Sequence, residues 1–454
     1  MAGTGNRDDI IQVTAGLLSL SWLYAKELIE DGLLSRIRHL PFSQCALFID
    51  ALRSGVTYGV RLCKRYTQVI AMTVMAAVSI SSVHASIFDQ FRDEDGWFDV
   101  SNWVLDNAIG FLPVPIVITE PAIGEGLGMA AAFFHPPNNY SKEEYEKARA
   151  ESKPASPESG EDFVLPDVSA IAIAATNNGS WFAGGGHFAH WKGDTIRYNG
   201  ALGYASLNLK FYGLSGGFNS DDGLSFSGEG VFIDQPISFR LGNSDFFLGG
   251  GYSYLNIDTT FDIGSVLPGF PPLEATTTLS GLRIFVDYDS RDTMFTPSSG
   301  ARARLSYESN DKAIGSDFNY DSYKAYIHKY WTLNPEWVLG LRGDMRGVTG
   351  EIPFFMVPYI DLRAIPAMRY QGDTVVVAET EIRLNFHPRF SAVGFLGFGK
   401  AADESSHLND AQTRDTQGLG IRYHTARKLG MYSGIDVARG PEDTYWYITL
   451  GSAW

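Results

Sequence analysis

The sequence predicts an all-β protein: an antiparallel transmembrane β-barrel of about sixteen strands, preceded by a short N-terminal periplasmic segment. Three observations predict it. Charged and apolar side chains alternate at period two in segment after segment, as in strands with one face in lipid and one in water. A stretch laid out like a secretory signal precedes them. The chain also ends on an aromatic, in "TYWYITLGSAW", where Trp446, Ile448, Leu450, Ser452 and Trp454 share one parity. Composition agrees: 13% of the 454 residues are aromatic, 19% are charged, and there are 48 Gly. That balance suits a two-faced sheet better than a helix bundle. The net charge of −16 argues against nucleic acid as a partner, since no basic stripe is there to neutralise phosphates.

Residues 1–60 precede the signal, read either as an upstream mis-start, with translation beginning near Val60, or as a cytosolic extension. Residues 61–85 carry basic Arg61, Lys64 and Arg65, an apolar core and the small-residue site Val83-His84-Ala85, the layout of a signal peptide. The core is too short to be a permanent span. Cleavage near Ala85 removes both cysteines, Cys45 and Cys63, so the exported chain is expected to hold no disulfide and no cysteine metal site. Such a signal on such strands implies the outer membrane of a Gram-negative cell. Residues 86–121, with Trp97, Phe98, Trp103 and Phe111, form a short periplasmic segment too small for a domain with its own core.

Residues 122–454 are read as the barrel. "GLRIFVDY" places Leu282, Ile284, Val286 and Tyr288 on one face, and "ETEIRLNF" sets Glu379, Glu381, Arg383 and Asn385 opposite Thr380, Ile382, Leu384 and Phe386. The connections "NNGS", "GNSD", "NPEW" and "HPRF" are short, whereas residues 135–162, "FDIGSVLPGFPPLEA", the stretch from Val348 to Gly372 and "DESSHLNDAQTRD" are longer on average. Short periplasmic turns and long outer loops are the expected asymmetry. An even strand count returns the C terminus to the periplasmic side, where Trp454 is expected in the inner aromatic girdle.

Few residues point to chemistry. In "HFAH" the odd spacing puts His187 and His190 on opposite faces of a strand, against a shared metal. No Ser/His/acid spacing stands out, so no catalytic residue, enzyme activity or cofactor is expected. In "YDSRDTMFTPSSGARARLSY", Asp289, Arg291 and Asp292 crowd a turn, read either as ion pairs that fix register or as a functional cluster. The Val348–Gly372 loop holds Phe354, Phe355, Met356, Val357 and Tyr359, too apolar for an outer loop in water. It either packs into the barrel or binds something apolar. If it folds inward, Arg369 needs a carboxylate, and inward-facing Glu379 and Glu381 are the nearest in sequence.

The "DSRDTMFTPSSG" turn, the loop ending "MRYQGD", the "AETEIRLNF" strand and the terminal "RKLGMYSGIDVARGPEDTYWYITLGSAW" together resemble the BamA/TamA superfamily of outer-membrane barrels, the bacterial surface antigen family, over residues 110–454. The resemblance implies a sixteen-stranded barrel that inserts or translocates polypeptide, or handles lipid. It also implies an outer loop dipping into the lumen, with Arg369 and Tyr370 at its tip. This sequence departs from the family in lacking a glycine between those two residues, and in placing Gly397 where the arginine's inner-wall acid is expected; Glu379 or Glu381 is the substitute. About 35 residues before the barrel cannot supply a POTRA domain, so a POTRA-less member is implied. The family's weak seam between first and last strands is expected here between Gly124, Gly126 and Gly128 and the terminal Gly451–Trp454. Expected partners are outer-membrane lipid, an unfolded polypeptide or lipid client, and the outer-membrane insertion machinery acting through the C-terminal strand. The alternative is a passive pore or structural surface antigen with no dedicated client.

Overall fold

The computed structural model describes residues 91–93, 95–101, 103, 110–136, 167–213, 223–262 and 271–454. The expectations for residues 1–60, for the signal at 61–85 and for most of the 135–162 connection lie outside these. Sixteen strands form one antiparallel sheet in chain order. The first four are β1 (Gly110–Glu120), β2 (Gly124–His135), β3 (Asp167–Thr176) and β4 (Trp181–Trp191). The longest follow: β5 (Ile196–Phe211), β6 (Leu224–Arg240), β7 (Phe246–Phe261) and β8 (Leu273–Asp289). Next come β9 (Gly300–Asn310), β10 (Tyr320–Thr332), β11 (Trp337–Gly350) and β12 (Thr374–Leu384). The last four are β13 (Phe390–Ala402), β14 (Arg414–Ala426), β15 (Met431–Arg439) and β16 (Thr444–Leu450).

The predicted alternation is present. Leu282, Ile284 and Val286 are exposed on the outer face, while Asp287 between their parities is buried inside. Leu127, Ile173 and Leu419 are 71, 65 and 72% exposed, and similar apolar side chains ring the barrel. So much apolar surface has no partner but lipid.

The barrel starts earlier than residue 122. "GFLPVPIVITE" forms β1, paired along its length with β2. Pro113 and Pro115 make that run read as an irregular lead-in, but an edge strand with one ladder neighbour tolerates missing N–H groups. The shift of one strand reverses two connections. The "NNGS" turn joins β3 to β4 at the outer end. The 136–166 connection joins β2 to β3 at the periplasmic end, which also carries Trp454 and the start of β1.

At that end the N-terminal segment docks on the β12–β13 and β14–β15 turns. Asp93–Trp97 closes a tight turn, and Val100 N–H donates to Thr425 O at 2.9 Å. Arg389 is fully buried and pairs with Asp93 at 2.9 Å, Asp95 at 2.8 Å and Asp99 at 2.7 Å. Trp97 sets its ring edge-on to His387 and Phe390, both at 5.7 Å. The Arg389 hydrogen bond holds the Asp95 carboxyl below its usual range. Burial works to raise Asp99, but donation from Ser101 and Arg389 outweighs it and the net shift is downward.

Candidate functional site: the inward loop, the lumen and the seam

The loop between β11 and β12 folds into the barrel. Its limbs pair through the Tyr359–Gln371 bridge, with Ile360 N–H donating to Tyr370 O and Gly372 N–H to Pro358 O, each at 3.0 Å. Phe354 sits among Phe211, Phe226 and Phe261 of β5–β7, at 5.1, 5.0 and 4.8 Å between rings. Ile360, Leu362 and Ile365 pack with Val375 and Val377 in one buried cluster. Of the two readings of this apolar loop, the inward packing is the one observed.

The groove that receives it is made of glycine. A Cβ on Gly397 would stand 2.7 Å from Leu362, and one on Gly399 would strike Ile360. The position where the resemblance implies a carboxylate is therefore the floor under the loop.

The tip carries Arg363, and this corrects the expectation for Arg369. Arg363 Nε donates to Glu379 Oε1 at 2.9 Å, and Nη1 to Glu381 Oε2 at 2.9 Å and Asp436 Oδ2 at 3.0 Å. Its guanidinium carbon lies 3.3 Å from the Phe395 ring centre. Arg422 binds Asp436 from the other side, and Arg342 links Glu379 to Asp344 and Asp361. Arg346 also reaches Asp361, at 2.6 Å. Four arginines thus meet five carboxylates, of which Asp361 is half-exposed, so the remaining charges inside the barrel balance, as burial requires. Ala364 N–H donates to Tyr447 Oη at 2.7 Å, tying the tip to β16. Ala364 and Met368 hold left-handed φ values of 69° and 63°, a strain that only a tightly fixed tip sustains.

Arg369 and Tyr370 lie on the returning limb, beyond the bend at Pro366–Met368. Arg369 meets Glu442 of the β15–β16 turn at 3.2 Å, and the Tyr370 hydroxyl donates to the same carboxylate. Glu379 and Glu381 meet the loop through Arg363 and not through Arg369. The sequence does hold the signal: in "YIDLRAIP", Ile360 and Leu362 alternate with Asp361 and Arg363, an extended run with one charged face.

The turn residues separate. Asp289 accepts from Arg291 Nε at 2.8 Å and pairs with Arg197 at 3.1 Å, while Asp292 accepts from the Thr293 and Ser298 N–H groups, both at 3.0 Å. Arg197 and Arg240, both bound to Asp194, also lie against the Phe247 ring, at 3.9 and 4.5 Å from its centre. The geometry is that of a register-fixing ionic band.

The seam lies between β1 and β16, which share no ladder among the described residues. Among the described residues, Ile448 N–H donates to Thr119 Oγ1 of β1 at 3.3 Å, and Trp446 Nε1 reaches past β1 to Glu125 Oε1 at the start of β2 at 3.0 Å. Gly124, Gly126 and Gly128 belong to β2, one strand away from the seam, and Gly126 and Gly128 pair with β3. Trp454 leaves the outer face altogether. Gly451, at φ 84°, ends the strand, and the tail turns inward so that Trp454 stacks on Tyr330 at 5.3 Å, against Gly340. The period-two pattern that predicted a girdle position stops at Leu450.

Residues 236–355, from late β6 into the inward loop, match the Omp85 superfamily domain. No curated protein matches the chain. Among solved structures it is similar to BamA from Haemophilus ducreyi lacking POTRA domains 1–3, at 11% identity and TM-score 0.49 over 80% of each chain. It is similar to CdiB from Escherichia coli at 10% identity and TM-score 0.50, covering 75% of this chain and 62% of that one. For CdiB from Acinetobacter baumannii the figures are 10%, 0.43, 75% and 59%. The chain spans under two thirds of either CdiB, and at these identities the likeness is one of fold. That fold implies the Gram-negative outer membrane. The chain carries an Omp85 superfamily domain in a sixteen-stranded antiparallel barrel of the BamA/TamA type.

Proposed function

We propose that this barrel inserts or translocates a polypeptide or lipid client, with the inward loop closing the lumen and the β1–β16 seam as its movable edge. The observation that carries the reading is Arg363, which holds the loop tip against Glu379, Glu381 and Asp436 while Tyr447 ties the same tip to the seam strand. A loop anchored by buried charge is fixed yet releasable. No covalent chemistry is part of this reading. The test is single-channel conductance of the folded chain in a planar bilayer. The unmodified protein is expected to be closed or to flicker, and Arg363→Ala to conduct steadily. A large, steady ohmic conductance from the unmodified protein favours the passive pore instead, and unchanged conductance in Arg363→Ala removes the loop from the mechanism.

A further inference from the structure

The interior is not hydrophilic all round. On β4–β8 the inward side chains form cross-strand rows: Gly184, Gly203, Phe232, Leu255 and Leu279 are successive partners, followed outward by Phe182, Ala205, Gly230, Ile257 and the buried Thr277. The next two rows contain Leu207 and then Leu209, Phe226 and Phe261. Four rows two residues apart span roughly 20 Å at about 3.3 Å per residue. Phe232, Leu255 and Ile257 are only half-buried. Phe182 and Phe232 stack 6.0 Å apart and lie over Gly203, where a Cβ would stand 2.7 Å from Phe232. The rings thus line the wall instead of filling the lumen. A cavity of about 610 Å³ lies outward of the wall, where Leu209, Phe226 and Pro366 are mixed with Lys210, Thr260 and Asp262.

We propose that this wall holds the acyl chain of an anionic phospholipid, head toward the periplasm. Below the apolar rows the same wall turns polar, through Asp234 and then Arg283 with Glu308. Lys324 shares a row with Phe285, is exposed to the lumen, and makes no salt bridge among the described residues; its Nζ lies 5.5 Å from the Tyr326 ring. An anionic head near Lys324 with its tail running outward has the orientation of an inner-leaflet lipid. A polypeptide fits less well: every strand of this wall is paired on both sides, so the backbone of a guest peptide finds no partners there. The 136–166 connection carries eleven charged side chains and is equally unsuited to cover it. The proposal rests on the insertion or translocation reading and names its client chemistry.

The test uses the full chain folded in vesicles containing phosphatidylglycerol with a diazirine halfway along one palmitoyl chain, with adducts located by mass spectrometry. Outward side chains such as Leu202, Leu248 and Ile284 are labelled in any case and serve as the internal reference. The expected result is additional labelling of Phe232, Leu255 and Ile257. Leu255→Asn with Ile257→Asn lowers that inward labelling about tenfold against the reference, and Lys324→Gln abolishes the preference over a zwitterionic probe. Labelling confined to outward side chains overturns the proposal. So does inward labelling by a diazirine-bearing apolar peptide but not by the lipid. The unmodified protein decides this even if the double variant does not fold. Conductance of Arg363→Ala is a separate readout, so failure of the lipid site leaves the loop's role standing, and the reverse.

Discussion

Replacing Arg389 with Gln tests how the N-terminal segment is held. The buried guanidinium meets three carboxylates, and truncating one partner of a buried pair costs about 3–5 kcal/mol because the remaining charge is uncompensated. The lower end applies here. Asp95 is open to solvent, where water screens its pairing with the guanidinium. Asp93 keeps Arg427 at 3.0 Å, and Asp99 keeps the Ser101 N–H at 2.7 Å. A loss of about 3 kcal/mol raises the undocked population roughly a hundredfold, at about 1.4 kcal/mol per decade. Hydrogen exchange of the Asp99 and Val100 amides, which donate to Phe91 and Thr425 carbonyls, reads that population. The barrel's heat-sensitive gel shift is expected to persist, since the segment adds no strand to the sheet. Unchanged exchange at those two amides in a folded barrel refutes the reasoning. An equal rise throughout β12–β15 also refutes it, because Arg389 would then stabilise the wall and not the segment.

Acid should release the same segment late. The folded-state pKa values of Asp95 and Asp99 are depressed, so their contribution is full above the unfolded value and is lost as pH falls through the folded one. Exchange at Val100 should therefore stay flat down to about pH 4 and rise only below the ordinary aspartate range. Gly399→Val drives a branched side chain into Ile360 and is expected to cost about 1–3 kcal/mol of loop docking, read as faster proteolysis within residues 351–373. Arg369→Ala removes a partly exposed pair with Glu442 worth about 0–1 kcal/mol, so its conductance should match the unmodified protein while that of Arg363→Ala does not. Tyr447→Phe deletes one hydrogen bond to Ala364, worth about 0.5–1.5 kcal/mol. It should quicken exchange at the loop tip and at β1 together.

How far the sequence could be read follows from the range of each interaction. Which way Glu379, Glu381 and Arg383 point was legible because strand parity is local. That the Val348–Gly372 loop would not lie in water was legible from Phe354 and Phe355, but those residues left inward packing and an apolar ligand both open. The loop's arginine was not legible, because choosing between Arg363 and Arg369 depends on the bend at Pro366–Met368, and left-handed φ at Ala364 and Met368 leaves no signature in residues that ordinarily avoid it. The first strand was hidden by Pro113 and Pro115, which count against a strand until its place at an edge is known. The union of Asp93, Asp95 and Asp99 with Arg389 spans nearly the whole barrel in sequence, so nothing local marks it.

The two halves of the lumen differ, and the seam joins them. From β11 to β16 the interior is filled by the loop and its balanced charges; from β4 to β8 it is lined by flat rings and left open. Every neighbouring pair of strands within the sheet is held by a ladder, each bond contributing about 0.5–1.5 kcal/mol, whereas among the described residues β1 and β16 share no ladder and meet through the isolated Ile448–Thr119 bond. Separation of strands therefore costs least at the seam. Movement of β16 is not independent of the interior, because Tyr447 holds Ala364 and Gly440 lies against the Ala364 carbonyl. Displacing β16 outward strips these contacts from the tip, while releasing Arg363 frees the tip to follow. On the proposed function, the loop and the weakest edge of the barrel act as one mechanical unit, in which what opens one loosens the other.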